Sequence, residues 1–180
     1  MNDISRKTLE SLIKKNARLF NLELVSKKAN PFVIREDYHL STTVENELFS
    51  WGLQMTIGIT PKGFIHMMMF MHPIIVEDDT RLNFIEFANA ANLWLGSALG
   101  RFWVNSDNDY CYELYLPELF MDNLTELEQQ LFDKPFSHFK DSLSALLQLK
   151  ERKWTATKAI QYLDELREVG FIDNSEYGLW

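Results

Sequence analysis

Residues 47–72 read ELFSWGLQMTIGITPKGFIHMMMFMH, and this stretch decides the fold. Phe49, Trp51, Leu53, Met55, Ile57 and Ile59 alternate with Ser50, Gly52, Gln54, Thr56 and Gly58. Successive side chains of an extended chain point to opposite faces. A period of two therefore predicts a strand over residues 47–60 with one buried face. Pro61-Lys62-Gly63 is turn chemistry, so residues 64–72 are expected to return antiparallel. The returning strand is apolar on both sides, with Ile65, Met67, Met69 and Met71 opposite Phe64, Met68 and Phe70. That pattern predicts a strand covered on both faces.

Upstream, Leu9, Leu12, Ile13, Ala17 and Phe20 have helical spacing, and Ser5 suits the N-cap. A short strand is expected at either residues 22–25 or residues 32–36. Downstream, Glu77-Asp78-Asp79-Thr80 opens a helix that runs to about Leu99, with Asp79 or Thr80 as cap. Phe84, Ile85, Ala88, Ala91, Leu95, Ala98 and Leu99 make its stripe, widened on one flank by Phe87 and Trp94. An arc this wide calls for a second neighbour besides the sheet.

Gly100 ends that helix. Residues 101–105 and 110–116 form a second hairpin about Ser106-Asp107-Asn108-Asp109. After Pro117 the pattern is helical, interrupted at Lys134-Pro135. Ser137 is expected to cap one helix and Thr155 a last one, which Gly170-Phe171 closes. The fold class is α+β, an antiparallel sheet packed by helices. The expected division is a domain over residues 1–150 and a C-terminal helical extension over residues 151–180.

The 180 residues are 46% hydrophobic and 13% aromatic, enough for a substantial core. Lys and Arg number 18 against 26 Asp and Glu, a net charge of −8. An acidic balance argues against nucleic acid as a partner. The charge is uneven: residues 1–30 hold seven basic and three acidic side chains, residues 31–149 six and seventeen. The first helix is thus basic and the body acidic, with a solvated helix face or electrostatic docking as the two readings. A single Cys, no leader-like segment and no long apolar run suggest a reduced, cytoplasmic location and no membrane partner.

Phe87-Ala88-Asn89-Ala90-Ala91-Asn92, followed by Gly100-Arg101-Phe102 and a hairpin ending at Leu116, is similar to YbjN-like bacterial proteins. There a helix with two Asn three apart runs into a Gly-Lys/Arg-Phe strand. The resemblance covers about residues 5–150. It implies a sensory transduction regulator with a fold like type III secretion chaperones, ordered α-β-β-β-α-β-β-α and usually dimeric. It brings no catalytic residues with it.

Asn92 falls inside the apolar stripe and Asn89 at its edge, so each amide needs partners, in neighbouring backbone or in a ligand. Arg101 can fork onto a carboxylate of a ligand or pair with a neighbouring acid. Met67, Met69 and Met71 fit a core, an adaptable partner surface or, least, a soft copper site. His66 and His72 lie about 20 Å apart along one strand, too far for one metal ion. Cys111 has no His at a suggestive spacing. No phosphate loop or dinucleotide pattern exists, so no cofactor is expected. The last helix resembles the end of a winged helix, but Asp164, Glu165 and Glu168 would repel phosphates.

The expectation is a non-enzymatic regulatory or chaperone-like module, a homodimer binding a protein client. Met67, Met69, Met71, Phe87 and Trp94 would form the partner or dimer surface. The alternative is a small-ligand sensor with a pocket between sheet and long helix, near Asn92 and Arg101.

Overall fold

The computed structural model describes residues 3–20, 23–28, 37–45, 50–96 and 98–169. Helix α1 (Asp3–Leu19) leads into a four-strand meander: β1 (Glu23–Lys28), β2 (Asp37–Glu45), β3 (Ser50–Ile59) and β4 (Ile65–Ile75). Helix α2 (Arg81–Leu93) follows, then the hairpin β5 (Arg101–Val104) and β6 (Asp109–Leu116). A 3-10 turn (Glu118–Asp122), α3 (Leu124–Glu128) and a π-helical turn (Gln129–Asp133) lead to α4 (Lys134–Lys150) and α5 (Ala156–Val169). The fold is α+β, with one antiparallel six-stranded sheet in the order β1-β2-β3-β4-β6-β5.

Among the described residues four strands separate the first two helices, where the resemblance implies three. Strand β2 has no counterpart among the expected elements, because its threonines and charged ends hide its alternation. Of the two alternatives for a short strand, residues 22–25 overlap β1, and residues 32–36 lie outside the described residues. The stop at Gly170-Phe171 lies outside them too.

Strand register assembles the core in rows. Ile57 pairs with Met67 and Met67 with Leu114. Met55 pairs with Met69, Met69 with Tyr112, and Tyr112 with Phe102. All these side chains are fully buried. The helices gather on this face. Phe84 and Phe87 of α2 meet the Tyr110 ring, and Phe139 of α4 packs edge-on against Phe102 and Tyr110. Helix α1 contributes Leu9, Leu12 and Ile13, and Phe20 stacks on Phe136 at 4.7 Å. Its docking is therefore largely apolar, with Lys15 adding an ion pair to Glu128 at 2.8 Å.

The expectation that β4 is covered on both sides is corrected. Met68 and Phe70 stay half-buried and Phe64 is exposed, because the packed helices lie on the opposite face. The wide arc of α2 does find its second neighbour: α2 lies between β5 and α5. That helix ends at Leu93, six residues short of expectation.

Two expected caps also differ. Thr80 stands at the N-cap of α2 as expected, but its side chain makes no capping bond: its hydroxyl donates to the Glu77 carbonyl, while Glu77 and Asp79 grip Arg152 in the α4–α5 loop. Helix α4 begins at Lys134, not after Ser137, because Pro135 falls in its first turn, where a missing N–H costs nothing. Thr155 does receive the Lys158 N–H, at 3.4 Å. Among the described residues no helix is long and apolar enough to cross a membrane.

Candidate functional site

The segment that carries the resemblance is a piece of structural carpentry. Phe102 sits in β5, the edge strand of the sheet. Asn92 of α2 donates from Nδ2 to the Phe102 carbonyl at 2.9 Å and accepts the Phe102 N–H on Oδ1 at 2.7 Å. Its amide thus replaces a neighbouring strand for one residue. Gly100 donates its N–H to the Tyr112 hydroxyl at 3.0 Å, and a Cβ there would lie 2.2 Å from the Tyr112 ring. Only glycine allows that approach. Asn89, by contrast, is exposed. Asn92→Ala is expected to cost about 2 kcal/mol for two lost hydrogen bonds, read by urea denaturation.

Arg101 alternates with Phe102 and so projects from the other sheet face. There it lies 3.6 Å from Glu113 and over the Trp103 ring. Glu113 also meets His66 at 3.2 Å, and His66 stacks on Tyr115. Arg101 and Asn92 therefore face opposite sides of the sheet. Met67, Met69, Met71 and Phe87 are corrected as surface residues: all four are buried beneath the helices. Trp94 alone of that set is open, at 45% exposure. Cys111 is buried, and burial pushes its thiol up to about 12, which removes it as a nucleophile at neutral pH. Among the described residues no cluster of His, Cys, Asp and Glu could hold a metal ion.

Trp94 leads to a cavity of about 400 Å³. Three parts of the chain wall it. Trp94, Leu95 and Ala98 come from the end of α2 and the segment after it. The π-helical turn and the first half of α4 supply Gln129, Asp133, Lys134, Ser137, His138 and Asp141, and α5 supplies Arg167. Local chemistry fixes each wall. Gln130, fully buried, accepts the Leu99 N–H at 2.9 Å and donates to Glu126 at 2.6 Å, tying the segment after α2 to the π turn. A π turn widens the helix by one residue, a distortion that recurs at functional sites. The Arg167 guanidinium lies 5.7 Å from the Trp94 ring centre, over its face.

His138 is the buried member of the site. Its ring stacks on Phe102 at 4.3 Å, and its Nδ1 accepts a hydrogen bond from Arg167 at 2.8 Å. Burial, reinforced by the Arg167 charge, lowers its pKa to about 3. The ring is therefore neutral at pH 7. With Nδ1 accepting, its proton sits on Nε2. That Nε2 is buried without a partner, as are Arg167 Nη1, Ser142 Oγ, Asp164 Oδ1 and the Tyr110 hydroxyl. Four of these five belong to α4 and α5, and two of them, His138 and Arg167, line the cavity. Buried polar groups without partners are rare, and each calls for a physical explanation, such as local strain or a bound water.

Sequence reasoning passed over His138 and Arg167. Each is a lone residue in a helix, and only the crossing of α4 with α5 joins them. Comparison of the chain with known protein families, with curated proteins and with solved structures returns no match.

Proposed function

We propose that the protein is a non-enzymatic regulatory module that takes up a small molecule in the cavity between α2, α4 and α5. The cavity itself supports this reading. Its volume lies within the usual range of ligand sites, and it combines an aromatic wall with a few polar groups. A base with a pKa near 3, its Nδ1 already engaged by Arg167, is poorly suited to proton abstraction at neutral pH, which favours binding over catalysis. A thermal-shift screen of the purified chain against amino acids, carboxylic acids, sugars and nucleotides tests it. A ligand at 100 times its Kd adds about 2.7 kcal/mol, about 5–10 °C for a chain of this size. At least one compound is expected to reach that shift and to lose it in Trp94→Ala. A flat response across the library would contradict the reading.

A second reading keeps the interaction module: a chaperone-like homodimer of the YbjN-like kind, cytoplasmic, binding a protein client. What favours it is the sheet face opposite the helices. Half-buried Met68, Phe70 and Trp103 and exposed Tyr115 lie there beside the Arg101–Glu113–His66 cluster. The occupant on this reading is a second copy of the chain, since closed two-fold pairs are the commonest assembly. Light scattering after size exclusion would then give twice the chain mass of 21.2 kDa, and a monomer at micromolar concentration would remove the reading.

A further inference from the structure

We infer that the cavity is built for a small zwitterion carrying both a carboxylate and an ammonium group, of which a free α-amino acid is the simplest case. The inference rests on the cavity being a ligand site. It comes from how the charges are laid out. Asp133, Ser137 and Asp141 are four residues apart, so they form one line from the end of the π turn into α4, about 12 Å long at 1.5 Å per residue. All three can accept hydrogen bonds. Lys134 and His138 form the neighbouring line, and Arg167 arrives from α5. These can donate.

The lining therefore holds two acids and two bases. A ligand with a single charge would meet repulsion as strong as its attraction. A ligand carrying both charges can place each against its opposite. Arg167 commits one amino group to His138 and rests on Trp94, leaving Nη1 unpartnered. His138 is 94% buried, since its exposure is 6%, and its Nε2 has no partner. Lys134 is engaged outside the lining, 3.3 Å from Glu126, which makes Arg167 the principal anchor for a carboxylate. Trp94, Leu95 and Ala98 supply an apolar wall for the remainder of the ligand.

Isothermal titration of the full chain at pH 7 tests this. The twenty free L-amino acids are each compared with the matching amine, which lacks the carboxylate, and the matching acid, which lacks the ammonium. At least one amino acid is expected to bind, with both half-molecules at least tenfold weaker. Asp141→Asn, a change on an exposed side chain, is expected to weaken the amino acid tenfold and leave the acid unchanged. Arg167→Gln is expected to weaken both. An acid or amine that binds as tightly as the amino acid would overturn the inference, and so would an Asp141→Asn protein that binds the amino acid normally. If other compounds bind but no amino acid does, the zwitterion is wrong and the ligand cavity stands. If nothing binds, both fall.

Discussion

Phe102→Ala is expected to destabilise the protein by about 4 kcal/mol, the scale of an aromatic ring removed from a close-packed core. The ring is 1% exposed and meets four other rings. It stacks on Tyr110 at 5.4 Å and on His138 at 4.3 Å, and meets Tyr112 and Phe139 at 5.0 and 5.1 Å. Its backbone is the one gripped by Asn92. One side chain thus joins the edge strand, the sheet and α4. Its removal leaves a void against His138, so ligand binding should weaken together with stability. Urea denaturation measures the loss, with an unchanged slope showing that the unfolded state is the same. Leu93→Ala, at a side chain 83% exposed, is the control and should cost almost nothing. A loss below about 1 kcal/mol at Phe102 would mean that α4 does not pack here.

Stability should fall steeply on acidification, beginning well above the carboxylate range. The unfolded chain's His138 titrates near 6.5, whereas the folded one titrates near 3. Between those values the unfolded state binds more protons than the folded state, so stability rises with pH across the window and is complete above about 6.5. The slope approaches about 1.4 kcal/mol per pH unit near its middle. The groups around the ring push in one direction: burial first, then the Arg167 guanidinium, both oppose its protonation. Asp79, Glu126 and Glu128 also have lowered pKa values, held down by hydrogen bonds from Arg152, Gln130 and Lys15. Their contributions are lost only below about pH 4–5. Urea melts of the protein and of His138→Gln at pH 7, 6 and 5 separate the two sets. The difference between them should shrink steadily with acid. A difference independent of pH would show that the folded state accepts the proton freely.

Strand periodicity was the most legible part of the chain. Trp51 to Ile59 alternate so regularly that strand, facing and hairpin follow directly, and register then carries Met67 and Met69 into the core. The methionines misled in one respect. Three thioethers in a row suit a partner surface as well as an interior, and only the helices packed over them decide between the two. Strand β2 was hidden because Ser41, Thr42 and Thr43 blur its apolar alternation. Asn92 was legible as a residue that needs partners, and its partners are the backbone of the adjacent hairpin. The cavity was not legible. Trp94, His138 and Arg167 stand 44 and 29 residues apart in sequence. No local pattern links them, and a π turn leaves no periodic mark of its own.

On the proposed reading, the cavity beneath Trp94 is where the protein takes up its ligand. Backbone and indole chemical shifts, followed during titration with the strongest hit from the thermal screen, test it most directly. The largest changes are expected on Trp94, Ala98, Ser137, His138 and Arg167, while Met68, Phe70 and Trp103 on the far side of the sheet stay still. Changes centred on that far face, with the Trp94 indole unmoved, would contradict it.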